Sequence, residues 1–166
     1  MCKVRHLSPA EISKSYPAPK KPKATNPLRF VDCVVVSRAP EGDVLITQRP
    51  ASGLLKSQNE LVCVETASKP FSVTESFSSI RNRLEEVGFC KPCASGTSAA
   101  CATAGEFKHV FSHLTHSVTV WSVNLTNTKC GTCSILAPSK WIPSASLSSS
   151  GLTSAMIKTL KLVNKI

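Results

Sequence analysis

The chain has 166 residues, of which 42% are hydrophobic and 18% are charged, so it can form one globular domain with a tail. Its 20 Lys and Arg residues against 10 acidic residues give a net charge of +10, which favours a polyanionic partner such as a nucleic acid. The sequence lacks both an apolar run of about 18 residues and an apolar stretch after Met1, so it predicts no membrane span and no secretory signal.

The first segment, residues 1–29, is predicted to be an extended basic linker before a domain at residues 30–166. It holds seven Lys or Arg residues and one acid, so it carries +6 of the net charge. Its prolines, among them Pro17, Pro19 and Pro22, favour an extended backbone and oppose a helix. The lysines between residues 20 and 23 suit a nuclear-import signal or a phosphate-contacting patch, or they simply solvate the linker.

Three strands and a helix follow the linker. Residues 29–38 are apolar and β-branched and predict a buried strand, which turns at Gly42 and returns through residues 44–49. Residues 60–65 predict another short strand. Residues 73–87 predict an amphipathic helix ending at Gly88, because apolar side chains recur at spacings of three and four: Phe77, Ile80, Leu84 and Val87.

The second half is predicted to hold a small-residue loop, a hairpin, a second loop, a strand, a serine-rich connector and a closing helix. These elements are residues 90–105, 107–121, 124–134, 135–142, 144–150 and 152–163. Thr153 or Ser154 is the expected cap of the last helix, which has an apolar face comprising Leu152, Met156, Leu160 and Val163. The order of elements predicts an α+β fold with a mixed β-sheet flanked by two or three helices.

The hairpin carries the most distinctive candidate site, at its turn. Phe111 offers an aromatic face, Ser112 a hydroxyl that both donates and accepts, and His113 an imidazole that can meet a phosphate. His109 and His116 also lie in this stretch, which raises the alternative of a zinc site. The alternating valines predict strands, which would separate the histidine rings, so the simpler alternative is a hairpin with surface histidines.

Two Cys-x-x-Cys pairs, Cys90/Cys93 and Cys130/Cys133, are a second candidate site among the eight cysteines. Without a secretory signal the cysteines are expected as reduced thiols. The 36 residues between Cys93 and Cys130 exceed the spacing of about 15–20 in a zinc ribbon. The pairs therefore form either a four-thiolate zinc site, if both lie on loops at one end of the sheet, or isolated loop thiols.

The helix and its flanking strands resemble the Nudix family. Aligned on Gly88, the chain retains Arg81, Glu85 and Glu86 of the Nudix box and has the apolar Phe89 after the glycine. It departs from the box at four positions, where Asn82 and Val73 replace glutamates, Arg83 replaces an apolar residue and Ala67 replaces a glycine. Hydrolysis in that family needs several carboxylates that hold a divalent metal, so the resemblance implies the fold more strongly than the activity.

Further stretches are similar to the C-terminal, catalytically silent Nudix-like domain of MutY-type adenine DNA glycosylases. That family has an Arg-Pro-x-x-Gly-Leu-Leu loop, matched here by residues 49–55, and a Phe-Ser-His hairpin tip, matched by residues 111–113. Trp141 and the helix from Leu152 also match the family's ending. A Leu-Trp-Glu-Phe-Pro strand in the family is replaced here by Gln-Asn-Glu-Leu-Val at residues 58–62.

The resemblance implies that the chain recognises 8-oxoguanine opposite adenine in double-stranded DNA, during base excision repair. Phe111, Ser112 and His113 would contact the lesion, and Arg49 is a candidate backbone contact unless it only ends a strand. Family members carry a catalytic helix-hairpin-helix domain with a [4Fe–4S] cluster before this region. That half is absent here, so the chain resembles a fragment or shortened form that is non-catalytic and needs no cofactor itself.

The implied location is the nucleus, with the mitochondrion as an alternative, and a replication or checkpoint clamp is a further candidate partner. Two other functions stay open. One is a Nudix-type nucleotide hydrolase with a degenerate box, which would cleave a diphosphate with magnesium. The other is a zinc-bearing interaction module built on the paired cysteines.

Overall fold

A computed structural model describes residues 25–38, 42–52, 55–70, 72–91, 93–94, 101–125 and 133–164. The predicted linker therefore lies outside the described residues up to residue 24, and so does Cys130. The strands are β1 (Leu28–Arg38), β2 (Asp43–Gln48), β3 (Asn59–Glu60), β4 (Val62–Thr66), β5 (Cys101–Val110), β6 (Thr115–Leu125) and β7 (Lys140–Ile142). The helices are α1 (Val73–Glu86), a 3-10 helix (Ser144–Ser149) and α2 (Ser154–Leu162).

The strands form one mixed sheet in the order β3-β2-β1-β6-β5, with β4 paired to β1 and β7 paired to β2. The parallel pair β1–β6 lies at the centre and extends from Leu28 opposite Thr115 to Arg38 opposite Leu125. The remaining pairings are antiparallel. The α+β arrangement predicted from the sequence is confirmed.

The central strand β1 is buried on both faces because its apolar side chains alternate between two cores. Val31, Cys33 and Val35 pack with α2, while Val34 and Val36 pack with α1. Such a strand reads as a continuous apolar run, as expected for the middle of a sheet covered on both sides. Each helix therefore covers one face of the sheet.

Helix α1 begins and ends as the sequence predicts. The Ser72 side chain accepts a hydrogen bond from the backbone N–H of Glu75, and the helix buries Ile80 and Leu84. Gly88 follows the helix with φ +106°, a conformation that favours glycine. Space also requires glycine at this position, since a Cβ there would lie 2.0 Å from the carbonyl oxygen of Ser134.

Helix α2 is likewise confirmed, and Thr153 is its cap, because its hydroxyl accepts from the backbone N–H of Met156. Met156 and Leu160 are buried as predicted. In the part of the chain that the structure describes, neither helix is long and apolar enough to span a membrane.

Four sequence predictions need correction. The loop predicted at residues 90–105 contains the start of β5 at Cys101. Residues 101–103 pair with residues 121–123 of β6, and a bulge between Thr103 and Gly105 separates them from the rest of β5. The strand predicted at 135–142 is limited to β7, since Pro138 lies in a turn that the Ser139 N–H closes by donating to Leu136 O. The strand predicted at 60–65 is two strands divided at Leu61, and the serine-rich connector forms the 3-10 helix.

Candidate functional site

The predicted hairpin tip is a tight turn between β5 and β6. The Phe111 N–H donates to the Leu114 carbonyl oxygen at 2.8 Å, which closes the turn. The segment before β1 supports it from outside, because Asn26 Nδ2 donates to the Phe111 carbonyl oxygen at 2.9 Å and the Thr115 N–H donates to Pro27 O at 2.9 Å. The supporting role of Asn26 was not predicted, because this residue lies 85 residues from Phe111 and leaves no local signal.

The Phe111 ring is held between two histidine rings. Its centroid lies 4.5 Å from that of His109 and 4.9 Å from that of His116, with both pairs close to edge-on. Burial lowers the pKa of both histidines; Lys158 adds to this effect at His109, while Glu65 opposes it at His116. Both rings pack against Phe111, which is only partly buried.

Ser112 and His113 project from the turn and are exposed. The Ser112 hydroxyl lies 3.3 Å from Nδ1 of His113, within reach of a hydrogen bond. This hydroxyl is therefore available to an external partner on a turn with a fixed backbone. In the described part of the chain, the three histidines of the hairpin do not form a group whose ligand atoms lie within 4.8 Å of one another, so they do not form the zinc site considered above.

The tip and the end of β2 share a shallow depression of about 80 Å³. Its walls are Arg49, Leu55, Glu65, Phe111, His113, Leu114 and His116. The structure thus brings Arg49 together with two of the three predicted tip residues, while Ser112 lies outside the lining. Leu55 adopts φ +59° in the loop after β2 and gives the depression an apolar wall.

Arg49 is held by a buried carboxylate. Its Nη1 lies 3.4 Å from Oε2 of Glu60, and one third of the Arg49 side chain is exposed. Burial raises the pKa of the Glu60 carboxyl, and the guanidiniums of Arg49 and then Arg83 oppose that rise. Glu60 therefore lies within electrostatic reach of both the tip region and helix α1.

The remnants of the Nudix box lie on α1 and at its end. Arg81 and Glu86 are exposed, Glu85 is partly buried and Gly88 terminates the helix. Glu86 Oε2 accepts from Arg83 Nη1 at 2.7 Å, so one of the two retained carboxylates is paired with a cation. Among the described residues, carboxylates do not form a group of three with oxygens within 4.8 Å of one another.

A larger depression, of about 300 Å³, opens where the start of α1 meets β1, β5 and β6. Trp121 and Asp32 lie in its wall, and Trp121 Nε1 donates to Asp32 Oδ1 at 2.8 Å. No role was predicted for Asp32. An acidic residue inside an apolar strand is the signal that could have singled it out.

The paired cysteines are partly brought together. The sulfurs of Cys90, Cys93 and Cys133 all lie within 4.8 Å of one another. These three are therefore not the isolated loop thiols that were the alternative prediction. The fourth predicted member, Cys130, lies outside the described residues. The cluster lies beyond the C-terminal end of α1, against the core on that face of the sheet.

Comparison with known families gives a match over most of the chain. Residues 33–162 match a family model described as NUDIX domain. A comparison with curated proteins finds no match.

Solved structures with the same architecture have low sequence identity to this chain. The C-terminal domain of mouse MUTYH, solved in complex with human PCNA, has a TM-score of 0.66 at 19% identity, over 82% of this chain and 87% of that one. The NUDIX domain of Shewanella oneidensis NrtR, complexed with ADP ribose, has a TM-score of 0.58 at 14% identity, over 96% and 98%. A C. elegans Ap4A hydrolase has a TM-score of 0.57 at 12% identity, over 82% and 96%. At these identities the likeness concerns the fold.

Proposed function

This chain belongs to the NUDIX domain family, and we propose that it is a non-hydrolysing member that recognises 8-oxoguanine opposite adenine in double-stranded DNA. The observation that carries the proposal is the hairpin tip, where an exposed serine and histidine follow an aromatic ring fixed by its neighbours. The tip lies beside Arg49 on a chain of net charge +10. This arrangement suits insertion against a damaged base in a polyanionic duplex.

Ser112 is the proposed reader of the lesion. Oxidation of guanine converts N7 from an acceptor to a donor and adds a carbonyl oxygen at C8. A hydroxyl can accept from N7–H and donate to O8, and it rotates to do either. The exposed Ser112 side chain, beside His113 Nδ1, has the freedom that this role needs.

Phe111 is the proposed wedge or stacking face at the base step next to the lesion. A ring already oriented by His109 and His116 loses little conformational freedom on binding. Insertion of an apolar side chain unstacks a base step, which costs a few kcal/mol and permits more contact between protein and DNA.

Arg49 is the proposed phosphate contact, and His113 is a second candidate for that role. The guanidinium of Arg49 is partly exposed beside the tip and is oriented by Glu60. Contacts of this kind fix the register of a protein on the duplex and make affinity depend on salt, but they do not read sequence.

The degenerate box supports binding without hydrolysis. Diphosphate cleavage needs carboxylates that hold metal against the substrate, and here Asn82 replaces one of them while Glu86 pairs with Arg83. We therefore propose that glycosidic chemistry, with any [4Fe–4S] cluster, belongs to a separate catalytic region of an adenine DNA glycosylase acting in nuclear, or alternatively mitochondrial, base excision repair. A replication clamp is a proposed partner, since the mouse MUTYH domain was solved with human PCNA.

A nucleotide-binding or hydrolysing function is the second candidate. It is favoured by the larger depression at Asp32 and Trp121, and by the similarity to a NUDIX domain complexed with ADP ribose. In that function the depression would hold a small nucleotide, and magnesium-dependent cleavage would have to proceed with the carboxylates that remain.

Binding to fluorescent duplexes tests the first proposal. Anisotropy is measured at a fixed salt of about 0.15 M for duplexes that differ in one base, 8-oxoguanine·adenine or guanine·adenine. One lost base contact is worth about 1–3 kcal/mol, so we expect about a tenfold preference for the lesion and its loss in Ser112→Ala.

Ser78→Ala is the matched control, because Ser78 is an exposed serine whose hydroxyl bonds to Thr74 O within α1. It should keep the lesion preference. Equal binding of both duplexes by the unmodified protein would contradict lesion recognition. Release of a mononucleotide from ADP ribose with magnesium, removed by Glu85→Gln, would favour the second function instead.

A further inference from the structure

We infer that Cys90, Cys93 and Cys133 form a structural zinc site that joins the segment after α1 to the segment before β7. The three sulfurs lie within 4.8 Å of one another, and Sγ of Cys133 lies 3.5 Å from Sγ of Cys90. The inference is independent of DNA recognition, since none of these residues belongs to the hairpin tip.

The distances fit a tetrahedral thiolate site. Zinc–sulfur bonds are about 2.3 Å long, so two thiolates on one zinc ion lie about 3.8 Å apart. The separation of Cys90 and Cys133 needs to lengthen only by tenths of an ångström to meet this value. The soft sulfur donors favour zinc over magnesium or calcium, which prefer oxygen.

The backbone around Cys90 directs these sulfurs toward one point. The Ala94 N–H donates to the Cys90 carbonyl oxygen at 2.9 Å, which closes a helical turn. Residues three apart on such a turn face the same side, so the turn brings the Cys93 sulfur beside that of Cys90. The Cys-x-x-Cys spacing therefore has the geometry that makes it a common zinc-binding pair.

Cys133 is brought to this turn by a separate docking contact. The Leu136 N–H donates to the Val87 carbonyl oxygen at 3.0 Å, and the backbone at Ser134 lies against Gly88. The Cys90 N–H also lies 3.3 Å from Sγ of Cys133, in position to donate a hydrogen bond. A backbone N–H directed at a sulfur stabilises the thiolate form, as second-layer contacts do in metal sites.

The surroundings suit a structural role. Cys93 and Cys133 are partly buried and pack against the apolar core that contains Phe89 and Ala94. The adjacent Lys91 is exposed and places a positive charge near a site that holds several thiolates. A bound ion would join segments 43 residues apart in sequence, and because the cysteines meet only in the folded chain, its binding free energy would stabilise the fold.

The three thiolates supply three of the four positions of a tetrahedral zinc site, and water would supply the fourth.

Metal analysis of the full chain, purified under reducing conditions and loaded with equimolar zinc before dialysis, tests the site. We expect one zinc per chain, which falls at least about tenfold in Cys93→Ser. Cys101→Ser is the matched control, since Cys101 is also partly buried but lies outside the cluster, and burial raises the pKa of its thiol to about 11. It should keep its zinc.

Cobalt substitution of the unmodified protein gives a test that does not depend on variants that fold. Co²⁺ should produce the visible bands of tetrahedral thiolate coordination, and zinc should displace them. Chelation should lower the Tm of the unmodified chain by about 5 °C or more and leave that of Cys93→Ser unchanged. Failure to retain zinc, equal zinc in Cys93→Ser, bound iron, or a Cys90–Cys133 disulfide after anaerobic purification would each overturn the inference.

Discussion

Trp121 Nε1 donates a 2.8 Å hydrogen bond to Oδ1 of Asp32, and the two side chains are 5% and 6% exposed. Asp32 lies on β1 and Trp121 on β6, so this bond joins the side chains of the two central parallel strands. Phe77 of α1 packs against the indole with ring centroids 5.1 Å apart. The indole therefore joins the sheet to the helix that covers it.

Trp121→Phe retains an aromatic ring but removes the indole N–H that donates to the buried Asp32 carboxylate. This substitution should therefore destabilise the fold. A buried acceptor that loses its partner costs about 1–3 kcal/mol. Asp32→Asn should cost less, because the amide oxygen can still accept from the indole. Urea unfolding followed by circular dichroism measures both changes. An equal loss in the two variants would contradict this role of the hydrogen bond, because Asp32→Asn keeps both the indole and an acceptor for it.

Gly88→Ala should be strongly destabilising, by at least about 2 kcal/mol, because a Cβ would collide with the backbone at Ser134 in a residue whose φ is +106°. Gly151→Ala is the matched control. It also has a positive φ, +71°, but its Cβ would meet no atom within 4 Å, so only the cost of about 1 kcal/mol for the conformation remains. Thermal unfolding of the two variants separates collision from conformation, and equal Tm values would contradict the tight packing at Gly88.

Phe111→Ala should weaken binding to lesion-containing and undamaged duplexes alike, because a stacking face does not distinguish the two purines. Loss of one stacked base costs about 1–3 kcal/mol, or roughly tenfold in Kd. Val110→Ala changes a neighbouring side chain that is 68% exposed and serves as the control. An unchanged Kd in Phe111→Ala would exclude the ring from the DNA interface.

Arg49→Gln should weaken binding to every duplex and reduce the slope of log Kd against log salt by about 1, as expected for one lost phosphate contact. Lys69→Gln removes an exposed charge beside the other depression and should leave the slope unchanged. A change in lesion preference without a change in slope would assign Arg49 to base recognition instead. The measurement is anisotropy across a salt series.

The fold should lose stability as the pH falls from about 7 to about 5, because burial lowers the pKa of His109 and His116 in the folded state. Between the two pKa values, the unfolded chain binds more protons than the folded chain. The contribution of the two histidines to stability is therefore fully present above their pKa in the unfolded chain, and it is lost as the pH falls through their pKa in the folded chain.

His109→Gln combined with His116→Gln should flatten that dependence in urea titrations at a series of pH values. Burial raises the pKa of Glu60, so its contribution to the pH dependence of stability has the opposite sign. That contribution is present in both proteins and cancels when their pH profiles are compared. Parallel pH profiles of the two proteins would contradict the burial of these imidazoles.

Sequence periodicity located the elements whose partners are local. The spacing of Ile80 and Leu84 predicted α1, and the alternating valines predicted the β5–β6 hairpin. The start of β5 at Cys101 was missed, because its pairing with Val123 overrides a composition typical of a loop. The tip residues were singled out by type, but the support from Asn26 depends on tertiary structure and could not be predicted.

The parallel pairing of β1 with β6 also has a consequence for synthesis and folding kinetics. Asp32 and Trp121 lie 89 residues apart, so the centre of the sheet cannot form until most of the chain has left the ribosome. Until then β1, which is apolar on both faces, has no parallel neighbour and is prone to aggregation. Slow folding, as expected for contacts between distant residues, prolongs that exposure. We therefore expect the strand order to make the nascent chain depend on chaperones.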